Sequence, residues 1–380
     1  MGSSPHAICI VASFALPHLG GVERYAHQMA KQFVKHGLPA VVVCLNTEGE
    51  RAHEFVDGVE YFRLPCFVIL RGRYPIPLLN LHWFQLVREI RKRTFSRVII
   101  NVRFYLLSIM AAKAADRKSC PIFLIEHGTS HFQLGNALLT KLAAFYEHWI
   151  TNRLKQKITH FFGVSEACNR WLLHFGIQSG GVLYNGVDSE DIPAIDVSWS
   201  EKLSLPNDSL VISYVGRLVA EKGVLNLVSA VTCLNSDDHP AQLFIAGNGP
   251  LEDSIPSASY VHFLGSIEHQ EVFQLLAITD ILVLPSAFPE GLPTILLEAG
   301  LMGNAIVATP MGGTEELIPD LRYGLIIPNN EVSSIRNALQ RLIDDPEMRR
   351  KMGENLKNRV REEFSWEKTA FRMFEFFGIS

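Results

Sequence analysis

The sequence has no stretch that approaches the roughly 20 consecutive apolar residues of a membrane-spanning helix, and the apolar run from Ala7 lacks the basic flank of a signal peptide. It contains no CxxC pair, no GxGxxG fingerprint, no tandem repeat and no helix-turn-helix signature, so cysteine-based zinc, dinucleotide and nucleic-acid binding are not indicated. Because its cysteines are scattered, we expect them to be small buried apolar residues, and we expect the protein to lie in the reducing cytoplasm. The six are Cys9, Cys44, Cys66, Cys120, Cys168 and Cys233.

The net charge of -4 conceals an asymmetry between the two halves of the 380-residue chain. Residues 1–195 contain 21 Lys and Arg against 14 Asp and Glu, a net charge of +7, so the remainder carries -11. A basic first half suits an anionic partner, such as a membrane surface or a phosphate-bearing acceptor, or simply presents a solvated basic face.

Strand-like apolar runs alternate with helical patterns in both halves, which predicts two doubly wound α/β domains. In the first half the strand candidates are AICIVASF, AVVVCLN, RVIINV, PIFLIEHG, HFFGVSE and GVLYNGVD, and the helix candidates are Glu23 to His36, Leu81 to Arg93, Tyr105 to Arg117 and Glu166 to Phe175. In the second half the strand candidates are LVISYVGR, QLFIAGNG, VHFLGS, DILVLPS, AIVATP and GLIIP.

The domain boundaries are predicted from a polar connection around Asp191 to Asp208 and from the pattern of the C-terminal tail. We expect residues 1–195 to form the first domain and residues 196–364 the second. Residues 365–380 predict a Ser-capped apolar helix that needs a surface to pack on, which we expect to be the N-terminal domain. Two such open sheets, each binding ligands at the carboxyl ends of its strands, are expected to face each other across a cleft.

The segment from Leu284 to Thr309 is the most informative in the chain. A buried strand ends in a loop that contains Glu290, and a helix is predicted from about Pro293, with Glu298 about two turns into it. Two carboxylates beside the amide groups of a helix start suit sugar hydroxyls or a phosphate. Taken alone, the pair would equally fit two exposed surface glutamates.

This segment resembles the signature of the GT-4 family of retaining glycosyltransferases, which has two glutamates separated by seven residues, the second followed directly by Ala and then by Gly and a Val-Ala-Thr strand. The matching residues are Glu290, Glu298, Ala299, Gly303 and Val307-Ala308-Thr309. The resemblance implies that Glu290 contacts the hydroxyls of the donor sugar and that Glu298 binds the ribose.

The resemblance extends over nearly the whole chain. It implies that Arg217 and Lys222, in YVGRLVAEKGV, hold the donor diphosphate, a role that two cations at a strand end suit physically. Gly247 and Asn248 match a turn near the nucleotide, although Asn248 replaces the more usual Asp. Further departures are Gly300 for a common Met and Ala305 for a common Pro, and further matches are Asn185-Gly186-Val187-Asp188 and Gly312, Gly313 and Glu316.

In the first half the resemblance rests on Leu19-Gly20-Gly21-Val22-Glu23 and on IEHGTSH. Two adjacent glycines before a helix let phosphate oxygens reach backbone amides. The family relationship implies that Gly20 and Gly21 lie beside the donor phosphates and that His127 lines the sugar site and orients the donor. His131 is a weaker candidate for acceptor contact.

The resemblance implies a GT-B fold, a nucleoside-diphosphate sugar as co-substrate and no metal or other cofactor. It also implies that residues 1–195 form the acceptor-binding domain and residues 196–364 the donor-binding domain. No DxD motif ends a strand, and Asp237-Asp238 is interpreted as a solvated turn. The implied catalytic residues are Glu290, His127, Arg217 and Lys222. The implied donor-binding residues are Gly20, Gly21, Arg217, Lys222, Gly247, Asn248, Glu290, Gly291, Leu292, Pro293, Thr294 and Glu298.

The family retains the anomeric configuration by a front-face route in which the departing phosphate oxygen takes the acceptor proton, so no side-chain base is assigned. The EGLP form of the Glu290 loop is similar to that of bacterial polysaccharide and glycan-assembly transferases and favours UDP, with a hexose or N-acetylhexosamine as the sugar. A nucleotide-sugar epimerase or a phosphorylase of the same architecture, or a catalytically silent sugar-binding subunit, remain alternatives.

The acceptor is expected to be a glycan or a lipid-linked molecule. The stretch from Phe67 to Arg103 mixes arginines with Tyr74, Trp83 and Phe84, which would suit peripheral contact with the inner face of the cytoplasmic membrane. An ordinary helix with its aromatic residues in the core and its arginines in water explains the same pattern.

Overall fold

A computed structural model describes residues 6–18, 20–70, 72–132, 136–196, 209–236 and 241–379. The predictions that lie outside the described residues fall on Leu19, Arg71, residues 197–208, and Asp237 with Asp238. None of the helices within these ranges is both long and apolar enough to cross a membrane.

The chain divides into two units, each built around its own sheet. The first comprises Met1–Asn185 with Trp366–Ser380, and the second comprises Gly186–Ser365. The chain therefore passes from the first unit to the second after Asn185, earlier than the boundary at residue 195 that was expected from the sequence. The Gly186-Val187-Asp188 turn already packs with the second unit, because the Val187 amide donates to the Phe364 carbonyl at 2.9 Å.

The first unit contains a seven-stranded sheet in the order β3-β4-β2-β1-β7-β8-β9 and a separate β5–β6 hairpin. Its strands are β1 (Ala7–Val11), β2 (Ala40–Leu45), β3 (His53–Val56), β4 (Val59–Leu64), β5 (Cys66–Ile69), β6 (Tyr74–Pro77), β7 (Phe95–Asn101), β8 (Ile122–Glu126) and β9 (His160–Gly163). Its helices are α1 (Gly21–Lys35), α2 (Leu81–Ile90), α3 (Leu106–Asp116), α4 (Ala137–Leu154), α5 (Glu166–His174) and the C-terminal helix (Trp366–Phe377).

The second unit contains a six-stranded parallel sheet in the order β12-β11-β10-β13-β14-β15. Its strands are β10 (Leu210–Val215), β11 (Ala241–Ala246), β12 (Val261–Gly265), β13 (Ile281–Leu284), β14 (Ala305–Ala308) and β15 (Leu325–Ile326). Its helices are α6 (Val224–Ser236), α7 (His269–Ile278), α8 (Thr294–Met302), α9 (Thr314–Leu317), α10 (Val332–Asp344) and α11 (Pro346–Glu363), so the C-terminal helix of the first unit is α12.

The central strands of both sheets are short, β-branched and buried along their whole length, as expected of parallel strands covered on both faces. In the first unit α12 packs on α1, where the Phe374 and Phe33 rings lie 5.8 Å apart. Arg97 ties the end of α12 to β7 by donating from Nε to the Phe377 carbonyl at 3.0 Å. The C-terminal helix therefore completes the first unit.

Three features of the first unit differ from the sequence prediction. GVLYNGVD is not a strand: Val182 makes a single bridge to Gly163, after Gly181 turns the chain with a φ of 148°. β3, β4, β5 and β6 were not among the predicted strands: β3 pairs antiparallel with β4, and β5 and β6 form a separate antiparallel hairpin. α4 was missed because its apolar residues do not follow one inward face: Phe145 is 73% exposed.

Candidate active site

The second sheet changes direction between β10 and β13. The chain runs from β10 outward through β11 and β12 and then returns to β13, on the other side of β10. Open parallel sheets bind ligands at such a switch point, outside the carboxyl ends of the strands. The loops that leave β10 and β13 at this edge contain Lys222 and Glu290.

Lys222 and Glu290 form an ion pair in which the Lys222 ammonium contacts Glu290 Oε1. Their side chains are only 13% and 16% exposed, and the ammonium lies 5.5 Å from the centre of the Phe288 ring. The pair is therefore partly shielded from water, which strengthens its electrostatic interactions. The structure thus brings together two residues that the sequence analysis assigned separately.

Backbone packing fixes the loop that contains Lys222. Lys222 ends a short 3₁₀ turn, and Gly223 follows it with a φ of 72°. A Cβ atom on Gly223 would lie 2.4 Å from the Pro285 carbonyl oxygen, so only glycine lets the two loops meet this closely. The Ala287 amide also donates to the Glu221 carbonyl at 2.6 Å.

Arg217 and Asn248 lie on neighbouring loops, after β10 and β11, and both side chains are exposed. The Leu218 amide donates to the Asn248 carbonyl at 2.7 Å. Gly247 has a φ of 138°, and a Cβ atom there would lie 1.9 Å from the Gly216 carbonyl oxygen. Gly247 is therefore required for the contact between the two loops, while Arg217 stays accessible to an anion.

Glu298 corrects two expectations from the sequence. α8 begins at Thr294, so Glu298 lies about one turn into the helix and not two. It is also not a surface residue: its side chain is 6% exposed and its Oε1 lies 3.0 Å from Nε2 of His269. His269, at the start of α7, was not identified from the sequence, because an isolated His before a helix gives no specific signal.

The Glu290 loop rests on the glycine pair that follows β14. Gly313 donates from its amide to the Gly291 carbonyl at 2.7 Å. Gly312 has a φ of 60°, and a Cβ atom there would lie 2.2 Å from the Glu290 carbonyl oxygen. Leu292 and Pro293 are buried beneath the loop, which leads into Thr294 at the start of α8.

Gly300 has a packing explanation of its own. On the buried side of α8, its Cβ position would lie 2.9 Å from Val360 Cγ2 and 3.0 Å from Leu356 Cγ, both on α11. The methionine that is common at this place in the GT-4 family would not fit between the two helices without moving them. The close approach of α8 to α11 therefore accounts for this departure from the family pattern.

The first sheet has its own switch point, between β1 and β7. Gly20 precedes α1 and Gly21 is its first residue, and both are exposed. The Glu23 carboxylate folds back against Gly20, where a Cβ atom would lie 2.3 Å from Glu23 Oε2. Burial raises the pKa of Glu23. The amide-rich start of α1 is thus present, with an unexpected carboxyl group beside it.

His127 follows β8 in the first unit. Its Nε2 lies 2.9 Å from the Asn101 side-chain oxygen, at the end of β7, and its ring packs edge-on against Tyr25. Desolvation of the ring lowers the pKa of His127 to about 3, so the imidazole is neutral at physiological pH. Because an amide oxygen only accepts, Nε2 carries the proton and Nδ1 remains an acceptor. Asn101 was missed, although a polar residue ending a buried strand was a visible signal.

A buried ion group supports the loop that contains His127. Arg103 donates to Glu126 and to Glu147, each at 2.9 Å, and all three side chains are at most 2% exposed. Glu126 Oε1 also accepts the amides of His127 and Gly128, at 3.2 and 3.0 Å. Arg103 was expected on a basic surface, but burial between two carboxylates places it in the core.

Two family models match the chain. The model described as Glycosyl transferases group 1 matches residues 197–359, and the model described as Glycosyltransferase Family 4 matches residues 19–191. The curated relatives include the uncharacterized glycosyltransferase MJ1069 of Methanocaldococcus jannaschii, which is 26% identical over 96% of each chain.

A second relative is the GDP-mannose-dependent monoacylated alpha-(1-6)-phosphatidylinositol monomannoside mannosyltransferase of Corynebacterium glutamicum, which is 26% identical over 97% of this chain and 96% of its own. Among solved structures, that of Anabaena Alr3699/HepE in complex with UDP-glucose superposes with a TM-score of 0.74 at 18% identity, covering 98% of this chain and 99% of that one. The fold is therefore shared even where the sequences have diverged. With both halves matched in order, the chain belongs to the GT-4 type glycosyltransferases and has the GT-B fold.

Proposed function

We propose that this enzyme is a retaining, metal-independent glycosyltransferase that moves a hexose or N-acetylhexosamine from a nucleoside-diphosphate sugar to a glycan or lipid-linked acceptor. The observation that carries the proposal is the partly buried Lys222–Glu290 pair at the switch point of the second sheet. It combines a cation for a departing diphosphate with a carboxylate for sugar hydroxyls.

The donor is assigned to the residues around this pair. Lys222 keeps two further N–H donors while it contacts Glu290, and exposed Arg217 adds a second, permanently charged group for the diphosphate. Glu298, one turn into α8 and oriented by His269, is assigned to the ribose hydroxyls. The amides at the start of α8, from Thr294 onward, add positive potential beside Glu290.

Transfer with retention is proposed to proceed on one face of the sugar. The bond from the anomeric carbon to the diphosphate oxygen breaks as the acceptor oxygen attacks, and the leaving oxygen takes the acceptor proton. Arg217 and Lys222 stabilise the charge that develops on the diphosphate. Neutral His127, held by Asn101, offers Nδ1 as an acceptor for a donor hydroxyl and orients the sugar.

UDP is the favoured nucleotide because of the EGLP sequence of the Glu290 loop and because the structural neighbour was solved in complex with UDP-glucose. The mannosyltransferase relative is GDP-mannose-dependent, which makes GDP-mannose the first competitor to test. Measuring which nucleotide-sugar the enzyme hydrolyses distinguishes these donors directly.

The acceptor side is proposed to dock on the inner face of the cytoplasmic membrane. The first unit exposes apolar side chains on the β5–β6 hairpin, on α2 with the segment before it, and on α4. A 2.6 Å hydrogen bond between Tyr74 and Tyr146 joins the hairpin to α4. The exposed set comprises Phe67, Val68, Ile69, Leu70, Leu78, Leu79, Leu81, Phe84, Leu138, Leu139, Leu142, Phe145 and Trp149. The two neighbouring aromatic residues at the start of α2 differ in exposure: Trp83 is buried in the core, while Phe84 is 59% exposed.

Flotation with anionic vesicles at low salt tests this docking. We expect the wild type to float with the vesicles. A double variant, Phe84→Ser with Phe145→Ser, should lose most of its binding, because in this proposal both side chains insert into the interfacial region of the bilayer. Phe55→Ser is a matched control, since Phe55 is 68% exposed on β3, outside this surface. Absence of wild-type binding, or equal loss in the control, would remove the membrane proposal.

The transferase proposal is tested by measuring release of nucleoside diphosphate from UDP-, GDP- and ADP-sugars, with and without EDTA. We expect slow, EDTA-insensitive hydrolysis of one donor that Glu290→Ala abolishes. Glu347→Ala is the control, because Glu347 forms only a solvent-exposed pair with Lys351 in the same unit. Epimerisation of the sugar without release of the nucleotide would favour the epimerase. A requirement for orthophosphate would favour the phosphorylase. Failure to bind any nucleotide-sugar would favour the catalytically silent subunit.

A further inference from the structure

Three histidines from separate elements of the first unit meet at one point. His131 follows β8, His148 lies on α4 and His174 is the last residue of α5. Each offers one ring nitrogen, and these nitrogens all lie within 4.8 Å of one another. Neither the sequence spacing nor a motif predicted this cluster, because the three residues come together only in the fold.

A buried carboxylate orients the first of these rings. Nδ1 of His131 lies 3.2 Å from Glu147 Oε2, and the Glu147 side chain is 2% exposed. Glu147 is itself held by Arg103 and accepts the Phe132 amide at 2.7 Å. A carboxylate that accepts Nδ1–H leaves Nε2 as a lone-pair donor, which is the arrangement that supports histidine ligands in metal sites.

Aromatic packing orients the other two rings. Trp171 stacks on His174 with centroids 4.8 Å apart and planes 5° apart, and Phe175 packs on His148 at 4.7 Å. Within the described part of the chain, neither His148 nor His174 has a hydrogen bond or an ion pair. Their nitrogens are thus held in position without a protein partner to saturate them.

We propose that His131, His148 and His174 bind a divalent transition-metal ion, with Zn²⁺ as the best fit. Three imidazoles leave one position open for water or a carboxylate, and imidazole is a ligand type that suits Zn²⁺. Tetrahedral Zn²⁺–N bonds of about 2.0–2.1 Å place ligand nitrogens roughly 3.4 Å apart. The three nitrogens lie within 4.8 Å of one another, so the rings would have to move closer together as the ion binds.

The ion would add a direct link among α4, α5 and the segment after β8, of which α4 and that segment are already joined through Glu147. Through Glu147 it is also connected to Arg103 and Glu126, and Glu126 accepts the His127 amide. The site therefore stabilises the segment after β8 from outside the transfer chemistry, and it does not depend on the identity of the donor. Bound metal stabilises the folded chain by mass action.

The test uses tag-free, metal-stripped full-length protein titrated with Co²⁺ and then with Zn²⁺. We expect one Co²⁺ per chain, with the intense visible absorption of a four-coordinate site, and its displacement by Zn²⁺. His148→Ala and His174→Ala should each weaken Co²⁺ and Zn²⁺ binding by more than about tenfold. Zn²⁺ should raise the melting temperature of the wild type and leave that of both variants unchanged.

His160→Ala is the matched control, because His160 is an exposed histidine of the same unit outside the cluster. It should retain wild-type Co²⁺ affinity. His174 is exposed, so its replacement is expected to leave the circular dichroism spectrum unchanged and keeps the test independent of folding. No Co²⁺ spectrum in the wild type, or binding that survives in both His148→Ala and His174→Ala, would overturn the proposal.

Discussion

Replacing Arg103 with methionine is expected to destabilise the first unit by about 3–5 kcal/mol at neutral pH. The guanidinium is 1% exposed and contacts Glu126 and Glu147 at 2.9 Å each, with carboxylates that are 1% and 2% exposed. Methionine fills similar space between Trp171 and Phe175 but leaves two buried negative charges uncompensated.

The size of this loss should depend on pH in a defined direction. Burial already raises the pKa of Glu126 in the presence of Arg103, and removal of the cation raises it further. A carboxyl group that is protonated in the folded state but ionised in the unfolded state favours folding at low pH. It adds about 1.4 kcal/mol of stability per unit of acidification, until unfolded glutamates protonate near pH 4.3. The destabilisation should therefore shrink between pH 7.5 and pH 5.5.

Urea unfolding followed by tryptophan fluorescence measures this effect in the first unit, which contains Trp83, Trp149, Trp171 and Trp366. Lys157→Met is the control, because it breaks a pair with Asp116 whose side chains are 26% and 46% exposed. That change should cost less than about 1 kcal/mol. A loss for Arg103→Met as small as that of the control, or one equal at both pH values, would refute the reasoning.

Three further outcomes are expected. Lys222→Met should lower kcat for donor hydrolysis about 10²–10³-fold, with partial rescue in Lys222→Arg, as steady-state kinetics would show; an unchanged kcat would count against the site. Gly223→Ala should cost about 2 kcal/mol or more in denaturant unfolding, since its φ is 72° and the Pro285 carbonyl is in the way; a smaller change would contradict this account of the loop. Thiol labelling at pH 8 should modify exposed Cys233 quickly and spare Cys9, because burial raises the pKa of Cys9 to about 12; equal rates would show that Cys9 is not protected.

Much of the fold could be predicted because parallel strands carry a strong local signal. β13 is entirely apolar and β10 is apolar apart from Ser213, both end in loops, and both were identified. The elements that were missed lack such a signal: the β5–β6 hairpin contains two prolines and exposed apolar residues, and α4 places apolar residues on the solvent side. Their sequences follow no single inward face, so periodicity alone could not assign them.

The candidate site could be predicted in part. Motif order identified Lys222 and Glu290, but their direct contact depends on the strand order β10-β13, which the sequence does not specify. The buried position of Glu298 beside His269 follows from the packing of α8 on α7. The histidine cluster could not be predicted from the sequence, because its three members lie on separate elements that only the fold brings together.

Hydrogen exchange of the full chain, measured with UDP, GDP and ADP in turn, tests the location of the donor site most directly. One nucleotide is expected to slow exchange at the backbone amides of residues 216–223 and 290–298, around the Lys222–Glu290 pair, and this protection should be lost in Glu290→Ala. Protection confined to the first unit, or none with any nucleotide, would contradict a donor site at the switch point of the second sheet.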